Sequence, residues 1–134
     1  MTLYLDSSAI IKLYKAEADS DKCRTIIGSE RELVSARHAF VEVISAINRD
    51  ETGRREQAVS EFRELWDGIR IVEIDSLTCE IAASLARETG TRTLDALHLA
   101  AMWRAGGSSL TMLTFDTRLA AATHHLGMPV ADVA

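Results

Sequence analysis

Four acidic residues, spread over most of the chain, have the type and placement that metal-assisted hydrolysis requires. They are Asp6, Glu42, Asp95 and Asp116. Such hydrolysis must activate water and stabilise the negative charge that develops, and Mg²⁺ does both while preferring a few carboxylates plus waters as ligands. Converging carboxylates repel one another and raise each other's pKa values, so a cation would stabilise such a cluster. The cluster forms only if the fold brings the four acids together.

Two of these acids directly follow predicted strands. Asp6 follows the apolar run at residues 2–5, and Asp116 follows the run at residues 110–115. In open α/β sheets, ligands bind at the carboxyl ends of the strands, so both acids are expected at one edge of the sheet. Either residue alone could instead cap a helix, since Asp at an N-cap is stabilising without any further function. Both interpretations stay open for each acid alone.

Glu42 lies in the middle of a predicted helix, where no capping role is available. A carboxylate among large apolar groups costs several kcal/mol unless it is paired or bound to a cation. The alternative is a solvated helix face, opposite a buried stripe formed by Phe40, Ile44 and Ile47.

Asp95 stands in the segment TLDALHLAA, which is apolar nearly all round and therefore predicts a buried helix. A charge in such a helix needs a partner, unless Thr93 is the N-cap and Asp95 belongs to the first turn. His98 lies one turn beyond Asp95. We predict that it is a packed histidine and not a metal ligand, because no second histidine lies at ligand spacing along the sequence.

Apolar runs and helical periodicity predict an α/β fold. Strands are predicted at residues 2–5, 70–74 and 110–115, with weaker candidates at 32–35 and 129–131. Helices are predicted at residues 8–15, 19–29, 36–51, 54–66, 76–89, 93–104 and 117–125. This alternation predicts a mainly parallel central sheet flanked by helices on both faces. The length of 134 residues is typical of one domain, so residues 1–134 are expected to form a single domain.

The composition limits the function classes. With 47% apolar residues the chain is not disordered, and no run approaches the ~20 apolar residues of a membrane span. The first residues lack the features of a signal peptide, and Cys23 and Cys79 stand alone in helical segments, which predicts buried or semi-buried thiols and a cytoplasmic protein. The net charge of −5 weighs against binding nucleic acid by charge alone, so bound metal and local arginines would have to offset it.

Four short motifs, in this order, resemble the PIN-domain nucleases, and specifically the VapC-type toxins of bacterial toxin–antitoxin pairs. They are LDSSA at the end of the first strand, VEV followed by AINR on a helix, LDALHLA on a later helix, and LTFD at the end of the late strand. Each motif is short, but their order, spacing and placement are together specific. The resemblance covers essentially the whole chain.

The resemblance implies a PIN-like three-layer fold and a Mg²⁺- or Mn²⁺-dependent endoribonuclease that forms a homodimer and is inhibited by a cognate antitoxin. On this basis Asp6, Glu42, Asp95 and Asp116 are the candidate catalytic acids, and the first, third and fourth are the expected metal ligands. Glu42 would orient or deprotonate the attacking water. Ser8 and Thr114 match the family's supporting hydroxyls. Some relatives carry another acid after the last one, where this chain has Thr117, so the number of metal ions stays open.

Substrate and partner contacts are less determined by the sequence. Basic residues near the acids could hold phosphates, namely Lys12, Lys15, Arg37, Arg49 and Arg118, with Arg54 and Arg55 farther out. Phe62 and Trp66 are one turn apart and are either core residues or anchors for an antitoxin segment.

Two other functions remain open: a PIN nuclease of RNA processing that is not a toxin, and a non-catalytic binding module on the same fold. The second predicts that one of the four acids would be missing, and all four are present. A phosphatase of the haloacid dehalogenase type needs a second acid where this chain has Ser8.

Overall fold

The centre of the protein is a four-stranded parallel sheet. The computed structural model describes residues 2–29 and 32–134. The strands lie in the spatial order β3-β2-β1-β4 and all neighbours are parallel. Their bounds are Thr2–Leu5 (β1), Glu32–Ala36 (β2), Arg70–Val72 (β3) and Leu110–Leu113 (β4). Both faces of β1 are covered, as expected for the centre of a parallel sheet.

Helices form one layer on each side of the sheet. They are Ser7–Lys12 (α1), Ser20–Gly28 (α2), Arg37–Asn48 (α3), Arg55–Asp67 (α4), Ser76–Thr89 (α5), Thr93–Ala105 (α6) and Thr117–His125 (α7), with a 3₁₀ turn at Gly107–Ser109. Leu3 and Leu5 of β1 pack with apolar residues of α1 to α4, whereas Tyr4 faces α5 to α7, because successive strand residues point to opposite faces. The predicted α/β, three-layer fold is therefore confirmed. Over the described ranges, no helix is both long enough and apolar enough to span a bilayer.

Several element boundaries differ from those predicted. The helix predicted at residues 36–51 begins at Arg37, because Ala36 stays extended to pair with Val72 of β3. The candidate strand at residues 129–131 forms only a single parallel bridge between Val130 and Met112. Proline has no N–H to donate, so Pro129 contributes only its carbonyl, which accepts from the amide of Met112 at 2.9 Å.

Phe62 and Trp66 belong to the core. Their exposed fractions are 0% and 7%, and their ring centroids lie 5.5 Å apart, with Phe40 packed 5.6 Å from each ring. The prediction that these two side chains anchor an antitoxin segment is therefore wrong. The helical spacing that suggested a binding stripe is the spacing of a core-facing stripe.

The direction in which strands are added reverses at β1. The chain proceeds from β1 to β2 to β3 on one side and then returns to place β4 on the other side of β1. In open α/β sheets, ligands bind at this point of reversal, outside the carboxyl ends of the strands. Asp6 follows β1 directly, and Asp116 lies three residues after β4 ends.

Candidate active site

Asp6 is buried at the end of β1, with an exposed fraction of 4%. It is the N-cap of α1, and its Oδ1 accepts a hydrogen bond from the amide of Ala9 at 3.0 Å. Burial raises the pKa of Asp6, although the charge of His98 and hydrogen bonds from Thr114, Ala9 and Ser8 oppose the shift. The capping role is therefore real, but capping does not require a buried carboxylate.

Two hydroxyls hold Asp6 and tie β1 to the segment after β4. Ser8 Oγ donates to Asp6 at 2.8 Å and accepts from the amide of Phe115 at 3.0 Å. Thr114 Oγ1 donates to Asp6 Oδ2 at 2.5 Å and accepts from the amide of Asp116 at 3.1 Å. Each hydroxyl donates its single proton to the carboxylate and accepts from the backbone with a lone pair. That these contacts support catalysis stays a prediction.

Asp116 and Asp95 each keep oxygens that other groups do not occupy. Asp116 is the N-cap of α7, and its Oδ1 accepts from the amides of Arg118 and Leu119 at 2.8 and 3.2 Å. Within the described ranges, no hydrogen bond reaches Oδ2 of Asp116 or the carboxylate of Asp95. Arg92, and not Thr93, is the N-cap of α6, and Asp95 lies in the first turn without a capping hydrogen bond.

Asp95 lies close enough to the other three acids for their charges to act on it. Burial raises the pKa of Asp95, and the charges of Asp116, Asp6 and Glu42 raise it further. In residues 2–29 and 32–134, no lysine or arginine forms an ion pair with any of the four acids, whereas Arg37 pairs with Glu73 and Arg104 with Asp75. In this part of the chain the acids thus concentrate negative charge without a lysine or arginine counter-ion, and a bound cation would supply positive charge.

Glu42 is held through one oxygen. Its Oε1 accepts from Ser7 Oγ at 2.5 Å and lies 3.1 Å from His98 Nε2, while Tyr4 Oη lies 2.7 Å from His98 Nδ1. Burial alone would raise the pKa of Glu42, but the hydrogen bonds from His98 and Ser7 hold it below its usual value. Glu42 therefore stays ionised, and its side chain is 25% exposed, so the solvated-face interpretation is wrong.

A second histidine, His38 of α3, packs against His98. The two ring centroids are 4.1 Å apart, and His38 Nε2 lies 3.1 Å from the carbonyl oxygen of Leu94 and 3.7 Å from Glu42 Oε1. Burial and the neighbouring His98 lower the pKa of His38 to about 4, although Glu42 opposes the shift. The sequence argument that His98 is not a metal ligand therefore overlooked His38, which comes from another helix.

His38 is expected to make stability depend on pH. The unfolded chain binds a proton at His38 near pH 6.5, whereas the folded protein binds it only near pH 4, so stability rises with pH across this window and is lost as the pH falls through it. Urea unfolding in EDTA at several pH values should show a steeper slope for the wild type than for His38→Gln. Equal slopes would contradict the lowered pKa of His38.

A pocket of about 670 Å³ opens beside the acids. Asp95 and Asp116 line it together with two exposed arginines, Arg92 and Arg118. Other basic residues proposed as phosphate contacts are used elsewhere: Lys12 pairs with Glu17 at 2.5 Å, and Arg37 with Glu73 at 2.6 Å. Lys15, Arg49 and Arg54 line a separate pocket of about 640 Å³. Of the predicted set, Arg118 is the one beside the acids, and Arg92 was missed.

Comparison with known proteins identifies the family. The family model for the PIN domain matches residues 3–124. The chain belongs to the PIN domain family. The PIN-domain protein Ribonuclease VapC46 of Mycobacterium tuberculosis is 34% identical over 128 residues, which cover 96% of this chain and 95% of the relative.

Two solved structures show the same PIN-domain fold. VapC20 of Mycobacterium tuberculosis, a toxin that cleaves the sarcin–ricin loop, superposes with a TM-score of 0.73 at 22% identity, covering 90% of this chain and 94% of VapC20. A toxin–antitoxin complex from Klebsiella pneumoniae has a TM-score of 0.72 at 16% identity, and 98% of each chain is covered. At these identities the likeness shows the fold.

This PIN domain also contains site residues that its motifs do not reveal. Tyr4, Ser7, His38 and His98 all contact Glu42 or its partners, yet only Ser7 and His98 lie inside a family motif as quoted from the sequence. The available signal was weak: Ser7 directly follows Asp6, and Tyr4 lies two residues before it. Their contact with Glu42 depends on how α3 and α6 pack.

Proposed function

We propose that this PIN domain is a divalent-metal-dependent endoribonuclease that acts as the toxin of a toxin–antitoxin pair. The observation that supports the proposal most is that the charges of Asp6, Glu42 and Asp116 all act on Asp95, while no lysine or arginine of residues 2–29 and 32–134 forms an ion pair with any of the four. The ribonuclease name of the 34% identical relative supports RNA as the substrate. The clustered acids distinguish this function from a non-catalytic module on the same fold, which has no need of them.

The donor set fits Mg²⁺ or Mn²⁺. All candidate ligands are carboxylate oxygens, which hard divalent cations prefer, and Asp95 and Asp116 keep oxygens that no protein group occupies. Asp6, Asp95 and Asp116 would hold the ion. Bound there, it would lower the pKa of a coordinated water and stabilise charge on the phosphoryl oxygens.

The chain's own residues contribute orientation and proton transfer. Ser8 and Thr114 fix both oxygens of Asp6, so this carboxylate cannot rotate. Ser7 and His98 occupy Oε1 of Glu42, which leaves Oε2 to accept a proton from the attacking water. The lowered pKa of Glu42 keeps it ionised and ready for this role.

The function is tested by incubating purified protein with a mixed cellular RNA pool in Mg²⁺, in Mn²⁺ and in EDTA. We expect cleavage in both metals and none in EDTA. Asp116→Asn should be inactive, although asparagine is also a good N-cap and should preserve α7. Cleavage in EDTA, or full activity of Asp116→Asn, would overturn the proposed site.

Arg92 and Arg118 are expected to bind the phosphates of the RNA that flank the cleaved bond. Arg92→Ala and Arg118→Ala should each raise KM by about tenfold and reduce the slope of log affinity against log salt by about 1, with little change in kcat. Arg63→Ala, which changes an exposed arginine of α4 outside this pocket, is the control. If KM is unchanged in both pocket variants, the two arginines do not bind the substrate.

The partners follow from the same proposal. The fold is shared with chains of a toxin–antitoxin complex, which supports a cognate antitoxin as a partner of this protein. The homodimer implied by the family is part of the proposal and is tested by sedimentation. Because Phe62 and Trp66 are buried, an antitoxin must bind elsewhere.

A further inference from the structure

We propose that His38, Glu42 and His98 form a second, transition-metal site, which binds an ion of the Zn²⁺ class and withdraws Glu42 from the carboxylate cluster. One nitrogen of each histidine and one oxygen of Glu42 lie within 4.8 Å of one another. Binding at this site is independent of the proposed nuclease activity, whereas its inhibitory consequence rests on that activity.

The donor set differs in kind from that of the four acids. Two imidazole nitrogens and one carboxylate oxygen suit Zn²⁺ and its neighbours in the transition series, whereas Mg²⁺ prefers oxygen alone. Ligand atoms bound tetrahedrally at zinc distances lie roughly 3.3 Å apart. Glu42 Oε1 lies 3.1 Å from His98 Nε2, and one nitrogen of His38 lies within 4.8 Å of the atoms that the other two residues offer, so small side-chain movements suffice.

Both imidazoles are oriented in the way that metal-binding histidines usually are. A metal-binding histidine commonly uses its other ring nitrogen, or a nearby carbonyl, to fix the ring. Without metal, Nε2 of His98 donates to Glu42. On metal binding, the tautomer with the proton on Nδ1, which then donates to Tyr4 Oη at 2.7 Å, presents the lone pair of Nε2 to the ion. The carbonyl of Leu94, 3.1 Å from His38 Nε2, fixes the second ring.

His38 also has unused bonding capacity. Of the buried side-chain nitrogen and oxygen atoms in residues 2–29 and 32–134, only Nδ1 of His38 has no hydrogen-bond partner. With the proton on Nε2 facing the Leu94 carbonyl, the lone pair of Nδ1 accepts nothing, and leaving a buried polar atom unpaired costs about 1–3 kcal/mol.

Occupation of this site has a direct consequence for Glu42. The oxygen that the ion would bind, Oε1, is the one that Ser7 and His98 now hold. A transition-metal cation on Glu42 removes the negative charge that makes this carboxylate a base and adds positive charge beside the Mg²⁺ ligands. Zn²⁺ is therefore expected to inhibit RNA cleavage without displacing the ion held by the aspartates.

The test is calorimetric titration of the protein with Zn²⁺ in excess Mg²⁺, which keeps the oxygen-only site filled. All proteins carry Cys79→Ser, because Cys79 is exposed, contrary to the sequence prediction, and could bind zinc itself. We expect one zinc per chain for the wild type, and binding weaker by at least about 100-fold for His38→Gln and for Glu42→Gln. Circular dichroism in EDTA checks that both variants fold.

Two controls locate the site. His125→Gln removes an exposed histidine that lies 3.9 Å from Glu88, a pair with only two ligands, and should bind zinc like the wild type. Asp95→Asn weakens the oxygen-only site and should also retain zinc. The proposal is overturned if Asp95→Asn loses zinc binding while His38→Gln keeps it. It is also overturned if the wild type does not bind zinc stoichiometrically.

The inhibitory consequence is measured by titrating Zn²⁺ into the RNA cleavage assay, with each protein compared with its own rate in Mg²⁺ alone. Half-inhibition of the wild type should occur at the calorimetric Kd and shift upward by about 100-fold in His38→Gln. If zinc binds stoichiometrically but does not inhibit cleavage, the inference that zinc withdraws Glu42 from the carboxylate cluster is overturned. If no protein cleaves RNA, the proposed function fails, and calorimetry alone decides the metal site.

Discussion

We expect Asp6→Asn to lower the rate of Mg²⁺-dependent RNA cleavage by at least about 1,000-fold, because metal-assisted charge stabilisation contributes several kcal/mol to such reactions. The variant loses the negative charge that would bind the metal ion. It also loses orientation, since Ser8, Thr114 and the amide of Ala9 all donate to Asp6. An asparagine can accept from these groups with only one oxygen, and its NH₂ group must face another donor.

The measurement is the single-turnover rate at saturating Mg²⁺, with circular dichroism to confirm folding. Asp67→Asn is the matched control, since Asp67 is an exposed acid at the end of α4 and should cleave at the wild-type rate. A rate for Asp6→Asn within tenfold of wild type would show that the buried carboxylate is only a helix cap.

Asp95→Asn is expected to make the protein more stable in EDTA while abolishing its stabilisation by Mg²⁺. Burial and the neighbouring acids raise the pKa of Asp95, so its ionised form is destabilising at neutral pH and the neutral amide is not. Asp95 is partly exposed, so solvent screening limits the gain to about 1 kcal/mol or less. In the wild type, Mg²⁺ at 100 times its Kd should add about 2.7 kcal/mol.

The check is urea unfolding of both proteins at neutral pH, in EDTA and over a series of Mg²⁺ concentrations. Asp67→Asn should follow the wild type in both conditions. If Asp95→Asn is less stable than wild type in EDTA, the carboxylate stabilises the fold and the cluster is structural. If Mg²⁺ stabilises the variant as much as the wild type, Asp95 is not a ligand.

The sequence was most informative where chemistry and topology coincide. Asp6 and Asp116 each follow an apolar run, and the general behaviour of parallel sheets is enough to bring strand ends together. Local signals also located the seven helices of the described ranges to within a few residues. Glu42 was detectable because a charge within an apolar helix demands an explanation.

The surroundings of Glu42 could not be read from the sequence because they depend on packing. Tyr4 and His98 are separated by 94 residues, and Glu42 and His98 by 56, so no periodicity links them. Whether Phe62 and Trp66 face the core or a partner depends on the side of α4 that meets the sheet. A helical stripe has the same spacing in both cases.

The pairing of β4 with β1 has a consequence for synthesis on the ribosome. Contacts between residues so far apart in the chain form late, and Asp116 meets Asp6 only through this pairing. A nascent chain that has not reached Leu110 leaves one edge of β1 unpaired and holds at most three of the four acids. The complete set of four acids is therefore assembled only when nearly all of the domain has been made.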